Sequence, residues 1–245
     1  MREHRHSRRF TAGPILCAVL PAALLCLCAS GCGSREPPSP RISLAETRRI
    51  ENLAAGKFLV ASPDISDDAF ARTVILLVRY DQRGTAGLIL NRVSPIPVAQ
   101  ALKGLSNAPA STGSVYLGGP VGQTAVLALL RSRSTPSGAR RILEGCQLIS
   151  DADLLNKQLG VGATSEKLRV YLGYTGWAAG QLEREIEAGE WLIFPGETHL
   201  VFDPHPETLW SRLIGRLEQQ LANYSTPALF YTQCSDFHFH RSTRS

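Results

Sequence analysis

Two glycine-rich segments contain the residue types that a ligand site would need. Leu117–Pro120 reads Leu-Gly-Gly-Pro, and Gly173–Gln181 places Trp177 among small residues. A turn like the first can present backbone N–H groups to an anion, although the phosphate-loop lysine is missing. The second segment is typical of a strand-to-helix junction, which can bring a helix N-terminus and an indole ring to a pocket.

Both segments also have a structural interpretation, which we favour. Glycines adopt positive φ, so Gly-Gly-Pro lets the chain leave a strand sharply. The glycines around Trp177 permit close packing of a helix on a sheet while the indole fills the core. Glu183, in the first turns of the helix that follows, would complement the helix dipole. Packing and ligand binding therefore remain open for both segments.

We predict that any ligand site combines these segments with residues of nearby loops. The candidate ligand-binding residues are Pro63, Arg72, Asn91, Gly118, Gly119, Pro120, Gly173, Gly176, Trp177, Gly180, Gln181 and Glu183. Arg72, Asn91 and Gln181 would supply the polar contacts. The same pocket would also suit a small-molecule enzyme, which is the alternative to a binding domain.

The sequence contains no recognisable catalytic or metal-binding arrangement. Gly-x-Ser-x-Gly is absent, and neither His199 nor His205 has a nucleophile at a recognisable elbow. The Cys234–His240 segment has thiol and imidazole groups but lacks a second ligand pair at zinc spacing. The acidic loop 64–68 has too few oxygen ligands for calcium. We therefore predict no catalytic residue, no metal and no cofactor.

The positive charge is concentrated at the N-terminus. The chain has 26 Lys+Arg and 21 Asp+Glu over 245 residues, and residues 1–31 hold four of the arginines and one glutamate. The remainder carries a net charge of only about +2. Nucleic-acid affinity depends on a strongly basic surface, which so small a net charge does not indicate. Nucleic acid is therefore not a predicted partner, whereas a protein or small molecule remains open.

The N-terminus has the three parts of an export signal. Basic residues extend to Arg9, an apolar run follows over Ile15–Ala29, and small residues precede Cys32. The run is too short to span a membrane comfortably and is interrupted at Pro21. We expect cleavage after residue 31 and lipidation of Cys32, with a conventionally cleaved signal or an uncleaved anchor as the alternative. Because no Asp follows Cys32, the periplasmic face of the outer membrane is favoured.

The remaining chain divides into a tether, a domain and a tail. Residues 32–43 are proline-rich and predict an extended tether, residues 44–224 form the domain, and residues 225–245 are a polar tail predicted to be disordered. The hydrophobic pattern predicts strands at 57–61, 73–80, 85–90, 114–117, 126–131, 168–172 and 191–194. It predicts helices at 44–55, 97–105, 151–159 (capped by Ser150), 178–188 and 207–222. This mixture indicates an α+β fold.

Two cysteines, Cys146 and Cys234, lie in the domain and tail. They could form one disulfide in an oxidising compartment. Two unpaired thiols are at least as well supported, because Cys234 lies in the polar tail.

Several segments occur in the order typical of the YqgE/AlgH family of bacterial proteins, which this chain resembles. They are Gly56–Pro63, Phe70–Val74, Gly87–Arg92, Tyr116–Val121, Leu172–Glu183 and Trp191–Leu192. The resemblance implies an α+β domain whose bent mixed or antiparallel sheet forms a pseudo-barrel with flanking helices. Similar proteins have no established biochemical activity, although the family name carries a link to transcriptional regulation of exopolysaccharide synthesis.

The chain departs from the family pattern at three places. Arg79-Tyr80 stands where a Glu-His pair is common, Val93 stands where proline is usual, and residues 125–133 lack a histidine-ending strand. Roles of those groups are therefore not carried over. We expect a non-catalytic binding or regulatory domain tethered by lipid, with a cytoplasmic transcriptional regulator as the alternative if the leader is not processed.

Overall fold

The computed structural model describes residues 50–111 and 113–225, with side chains described through residue 219. The predicted signal segment, tether and tail lie outside these residues, apart from Ser225 at the end of the last helix. Half of the helix predicted over 44–55, residues 44–49, also lies outside them. Its described part is helical only at Ile50 and Glu51 and ends before Gly56.

The described domain has ten strands with short helices between them. The strands are β1 Phe58–Ala61, β2 Val74–Asp81, β3 Gly84–Ile89, β4 Val93–Pro97, β5 Ser114–Leu117, β6 Val121–Arg131, β7 Ala139–Leu143, β8 Cys146–Ile149, β9 Leu168–Trp177 and β10 Trp191–Phe194. The α-helices are α1 Val98–Ala101, α2 Ala152–Gly160, α3 Gln181–Glu187, α4 Thr198–Val201 and α5 Leu209–Ser225. Two 3-10 turns, η1 Ala108–Ala110 and η2 Pro206–Thr208, complete the order.

The strands form one curled sheet. Its main order is β10-β1-β2-β3-β9-β6-β8-β7, and β5 attaches to β9 and carries β4. All these pairs are antiparallel except β5 with β9, which is parallel. The sheet curls into a half-barrel with few flanking helices, so the predicted α+β fold is confirmed.

Burial on both faces of the sheet explains why its central strands are almost continuously apolar. In β1, Phe58 and Val60 pack into the inner core, which α4 and α5 cover through residues such as Leu200 and Leu213. Leu59 and Ala61 point to the outer face, where α3 covers them. A second outer cluster lies under α1 and α2. The sheet therefore has one inner core and two separate outer cores.

Close backbone contacts bring the two ends of the sheet together. Gly56 precedes β1 and Gly196 follows β10, and both lie against β7 at the opposite end of the strand order. A Cβ on Gly56 would lie 2.7 Å from the Ile142 carbonyl oxygen, and a Cβ on Gly196 would overlap the Gly56 backbone. We call this contact between the two ends of the sheet the seam. The Arg140 guanidinium also donates a hydrogen bond across it to the Val78 carbonyl, at 2.8 Å.

Most predicted elements are present, but several boundaries were wrong. β6 begins five residues before the predicted start, at Val121, and β9 continues five residues past its predicted end, to Trp177. The prediction of Ser150 as N-cap is wrong, because the Asp151 side chain accepts the Leu154 N–H at 2.7 Å. The helix predicted over 97–105 is helical only in α1, and the final helix starts at Leu209 and extends past residue 222.

Three short strands were not predicted. β4 contains two prolines, Pro95 and Pro97, which argue against a strand except at an edge. β7 carries the charged pair Arg140-Arg141 at the sheet end, and β8 is only four residues long. No helix in the described part of the chain has the length and apolar character needed to cross a membrane.

Gly196→Ala should destabilise the domain, because the added methyl group has no space at the seam. We expect the free energy of unfolding to fall by about 3 kcal/mol, measured by urea denaturation. Gly104→Ala is the matched control, since a Cβ there would meet nothing within 4 Å. Equal stability of the two variants would contradict a closed seam.

Candidate functional site

The Leu-Gly-Gly-Pro turn joins β5 to β6 and packs directly on the backbone of β9. Gly119 has φ of 152°, and a Cβ there would lie 2.5 Å from the Thr175 amide nitrogen. Gly173 has φ of 70°, and a Cβ there would lie 2.5 Å from the Gly119 carbonyl oxygen. A Cβ on Gly118 would overlap the Gly173 carbonyl. These three glycines therefore have a packing role, which does not exclude ligand contact at the turn's outer side.

The alternation of β9 side chains between the two faces of the sheet is interrupted at Gly173. Tyr171 and Tyr174 both pack with the inner core, although they are an odd number of residues apart. Opposite this point the β6 register shifts between Val121 and Val126. The extra residues form a bulge, which bends strands and re-aims side chains. Because the alternation of β9 is interrupted at Gly173, Trp177 reaches the outer cluster under α3.

A groove of about 400 Å³ lies beside this turn. Its lining residues come from five parts of the chain and are Ala69, Ile89, Arg92, Leu117, Gly119, Pro120, Gln123 and Leu172. Ile89 belongs to the outer cluster under α3, whereas Leu172 packs at the edge of the cluster under α1 and α2. The groove is thus the stretch of outer sheet face between the two covered clusters.

Exposed large apolar side chains concentrate in one stretch of the chain, which includes the groove-lining Leu117. Of the five large apolar residues exposed in the described chain, four fall within residues 93–121: Val93, Ile96, Leu117 and Val121. Leu117, which lines the groove, is 46% exposed. Scattered exposed apolar residues are ordinary, but a half-exposed leucine that lines a groove favours a binding surface.

Arg92 is the cationic side chain of the groove. Its backbone carbonyl accepts the Leu117 N–H at 2.9 Å, which holds the arginine at the groove edge. Burial lowers the pKa of Arg92, and the charge of Asp67 opposes that shift. Within the described residues no carboxylate lies within 4 Å of the Arg92 guanidinium. The groove therefore contains a half-buried cation without an ion-pair partner from these residues.

Gln181 and Trp177 belong to a separate hydrogen-bonded cluster around Glu185. One carboxyl oxygen of Glu185 accepts the indole N–H groups of Trp177 and Trp191, at 2.7 and 2.8 Å. The other oxygen accepts the Gln181 amide at 2.9 Å, and Gln181 also accepts the Ala178 N–H at 3.0 Å. This cluster fastens α3 to β9 and β10. Strand β9 ends at Trp177, so the predicted strand-to-helix junction begins at Ala178. Trp177 itself is a core residue.

Glu183 makes a different cross-element contact. It accepts a hydrogen bond from the Tyr80 hydroxyl group at 2.7 Å. This bond, together with burial and the negative charge of Glu183, raises the pKa of Tyr80 to about 12. Gly180 has φ of 73° and forms the N-cap of α3, while a Cβ on Gly176 would meet only ordinary contacts.

Asn91 and Arg72 meet each other just before the start of β2. The Asn91 side chain accepts the Val74 N–H at 2.9 Å and donates to the Arg72 carbonyl at 2.8 Å. The Arg72 guanidinium stacks over Trp210, 5.5 Å from the ring centroid, and its φ is 57°. Pro63 is exposed in the loop after β1.

The candidate residues therefore divide between several places. Gly119 and Pro120 line the groove, and Gly118 and Gly173 pack at the turn beside it. Trp177 and Gln181 belong to the Glu185 cluster, Glu183 contacts Tyr80, and Asn91 contacts Arg72. Gly176 lies within β9, Gly180 caps α3 and Pro63 lies in the loop after β1. Sequence reasoning missed Arg92 and Gln123. Arg92 directly follows Asn91 in a family-like segment, which is the signal that could have found it. Among the described residues no group of three His, Cys, Asp or Glu side chains is placed to hold a metal ion.

The curled sheet with its open groove defines the chain as an α+β domain of half-barrel type. The AlgH-like family model (DUF179) matches residues 58–222. This chain therefore belongs to the AlgH-like family, as its sequence segments predicted.

Relatives and solved structures agree with this membership. A UPF0301 protein of Streptomyces avermitilis is 34% identical over 180 residues, covering 70% of this chain and 90% of that protein. One from Chlorobium luteolum is also 34% identical, covering 67% and 86%. The solution structure of Pseudomonas aeruginosa AlgH has a TM-score of 0.58 and 30% identity, covering 71% of this chain and 94% of that one. A crystal structure from Corynebacterium diphtheriae has a TM-score of 0.56 and 26% identity, covering 71% and 92%.

Glu185→Gln should loosen the attachment of α3. A glutamine side chain has one acceptor oxygen instead of two, so at least one of the three donors loses its partner. We expect the free energy of unfolding to fall by about 1–3 kcal/mol, measured by urea denaturation with tryptophan fluorescence. Glu187→Gln, an exposed change of the same type on the same helix, is the control. If both variants match the wild type, the cluster does not stabilise the domain.

Proposed function

We propose that this protein is a non-catalytic binding module and that the groove beside Gly119 and Pro120 is its ligand site. The observation that carries the proposal is the uncovered apolar stretch of sheet between two covered clusters, with Arg92 at its edge. A volume of about 400 Å³ falls in the range of small-molecule sites. An apolar lining with few polar groups is also typical of such sites.

The lining favours binding over catalysis. Arg92 and Gln123 are the polar side chains among the lining residues. A guanidinium and an amide bind and orient ligands, but neither is an effective nucleophile or general base at neutral pH. Asn91 and Gln181, the polar groups that an enzyme in this region would need, are hydrogen-bonded within the protein. A regulatory role would then follow from ligand or partner binding.

The proposal includes export and lipid anchoring. It is supported by the order of basic, apolar and small residues that ends at Cys32. A proline-rich tether over 32–43 would hold the domain away from the periplasmic face of the outer membrane. The binding groove would then meet ligands or partners of that compartment.

Nile red, an uncharged dye that fluoresces in apolar sites, should bind the groove. Leu117→Asp should weaken binding by about tenfold, because a charge replaces apolar surface at the site. Fluorescence titration of the purified domain measures this change. Val161→Asp is the matched control, since Val161 is 73% exposed and lies outside the groove lining. Binding that Leu117→Asp leaves unchanged, or that Val161→Asp weakens equally, would contradict the proposed site.

Cys32→Ala should abolish lipid attachment. The full-length protein, expressed in a Gram-negative host with labelled palmitate, should carry label and fractionate with the outer membrane. The variant should lack the label and accumulate as an unprocessed, larger chain, because lipoprotein processing needs the cysteine thiol. Cys28→Ala, four residues upstream, is the control. Absence of label in the wild type, with unchanged size in Cys32→Ala, would reject the anchor.

A further inference from the structure

We infer that the ligand of the groove is a small apolar molecule ending in a carboxylate, and that Arg92 binds this carboxylate. The inference rests on the proposed function and specifies its ligand class. Two features carry it: a half-buried guanidinium without an ion-pair partner among the described residues, and an apolar floor directly beside it.

The charge requirement follows from the surroundings of Arg92. A guanidinium remains protonated in proteins, and taking it partly out of water costs free energy unless an anion or acceptors compensate. In the described part of the chain its side chain makes no hydrogen bond, ion pair or ring contact. Asp67 acts on it only at longer range, from an exposed loop. A ligand anion would supply the missing partner.

A carboxylate matches this cation better than a phosphate does. Guanidinium groups bind carboxylates through two parallel N–H···O bonds. The groove offers a single cation and one neutral amide, Gln123. This donor set balances one negative charge, whereas sites for phosphate groups usually assemble several cations or backbone N–H groups.

The remaining lining indicates the body of the ligand. Ile89, Leu117, Pro120 and Leu172 line the groove, and none of their side chains can form a hydrogen bond. A peptide backbone would leave its N–H and C=O groups unpaired against such walls, which is costly. An acyl chain has no polar group to satisfy along its length. A fatty-acid-like molecule therefore fits the groove better than a peptide.

The test compares dodecanoate with dodecanol, which has the same chain length without the negative charge. Each is titrated against the purified protein carrying Nile red, with dodecanoate kept below its micelle concentration and dodecanol below its solubility limit. We expect dodecanoate to displace the dye about tenfold more tightly than dodecanol, the contribution of a charge-assisted contact. Arg92→Gln should remove this preference and leave binding of the uncharged dye unchanged. Arg92→Lys, which keeps the charge, should retain part of the preference.

Arg141→Gln is the matched control, because it removes the same charge from an exposed arginine outside the groove lining. It should leave the preference intact, and urea denaturation should show all variants folded. Equal binding of both ligands by the wild type, or a preference that survives Arg92→Gln, would overturn the carboxylate inference while the groove remains a binding site. Failure of Nile red to bind would instead reject the groove itself.

Discussion

Backbone-to-backbone contact at glycines is the constraint on which this domain depends. The β5–β6 turn lies against β9 at Gly118, Gly119 and Gly173, where any side chain would overlap main-chain atoms. The sheet ends meet at Gly56 and Gly196 in the same way. A sheet that must curl around one core needs such close approaches, because side chains of ordinary size would hold its backbone segments apart. The glycines that suggested a ligand loop are thus first the residues that allow the curl.

The curl also determines where the groove lies. Helices α1 and α2 cover one part of the outer face, and α3 covers another, fastened by Glu185 to Trp177 and Trp191. Neither covering reaches the β5–β6 turn. The topology therefore leaves an apolar strip uncovered between the two helix-covered parts of the sheet. Leu117 is half-exposed on this strip.

The sequence predicted the α+β class and most strands, because hydrophobic periodicity and turn residues reflect local physics. The family was predicted from the resemblance of its ordered segments. It failed where tertiary contacts decide. β9 continues through Gly173–Trp177 because neighbouring strands on both sides pair with it, which overrides the glycine content of that segment. Glu185 was not predicted as an anchor, since two of its three donors, Trp177 and Trp191, belong to β9 and β10 and reach it only through the packing of α3 on the sheet. The N-cap of α2 is Asp151 and not its neighbour Ser150, because the helix begins one residue later than predicted.

The arginines of the domain show why Arg92 differs from a structural cation. Arg169 is only 3% exposed, yet it donates to the Asp203 and Ser165 carbonyls and lies over the Tyr116 ring. Arg72 stacks on Trp210, and Arg140 donates across the seam. Each of these guanidinium groups contacts other groups of the protein, although the buried Arg169 Nη1 has no hydrogen-bond partner among the described residues. Arg92 loses part of its hydration without gaining such a partner among the described residues. A folded domain tolerates that cost more readily where a ligand supplies the partner, so the uncompensated arginine and the uncovered apolar strip are two parts of one site.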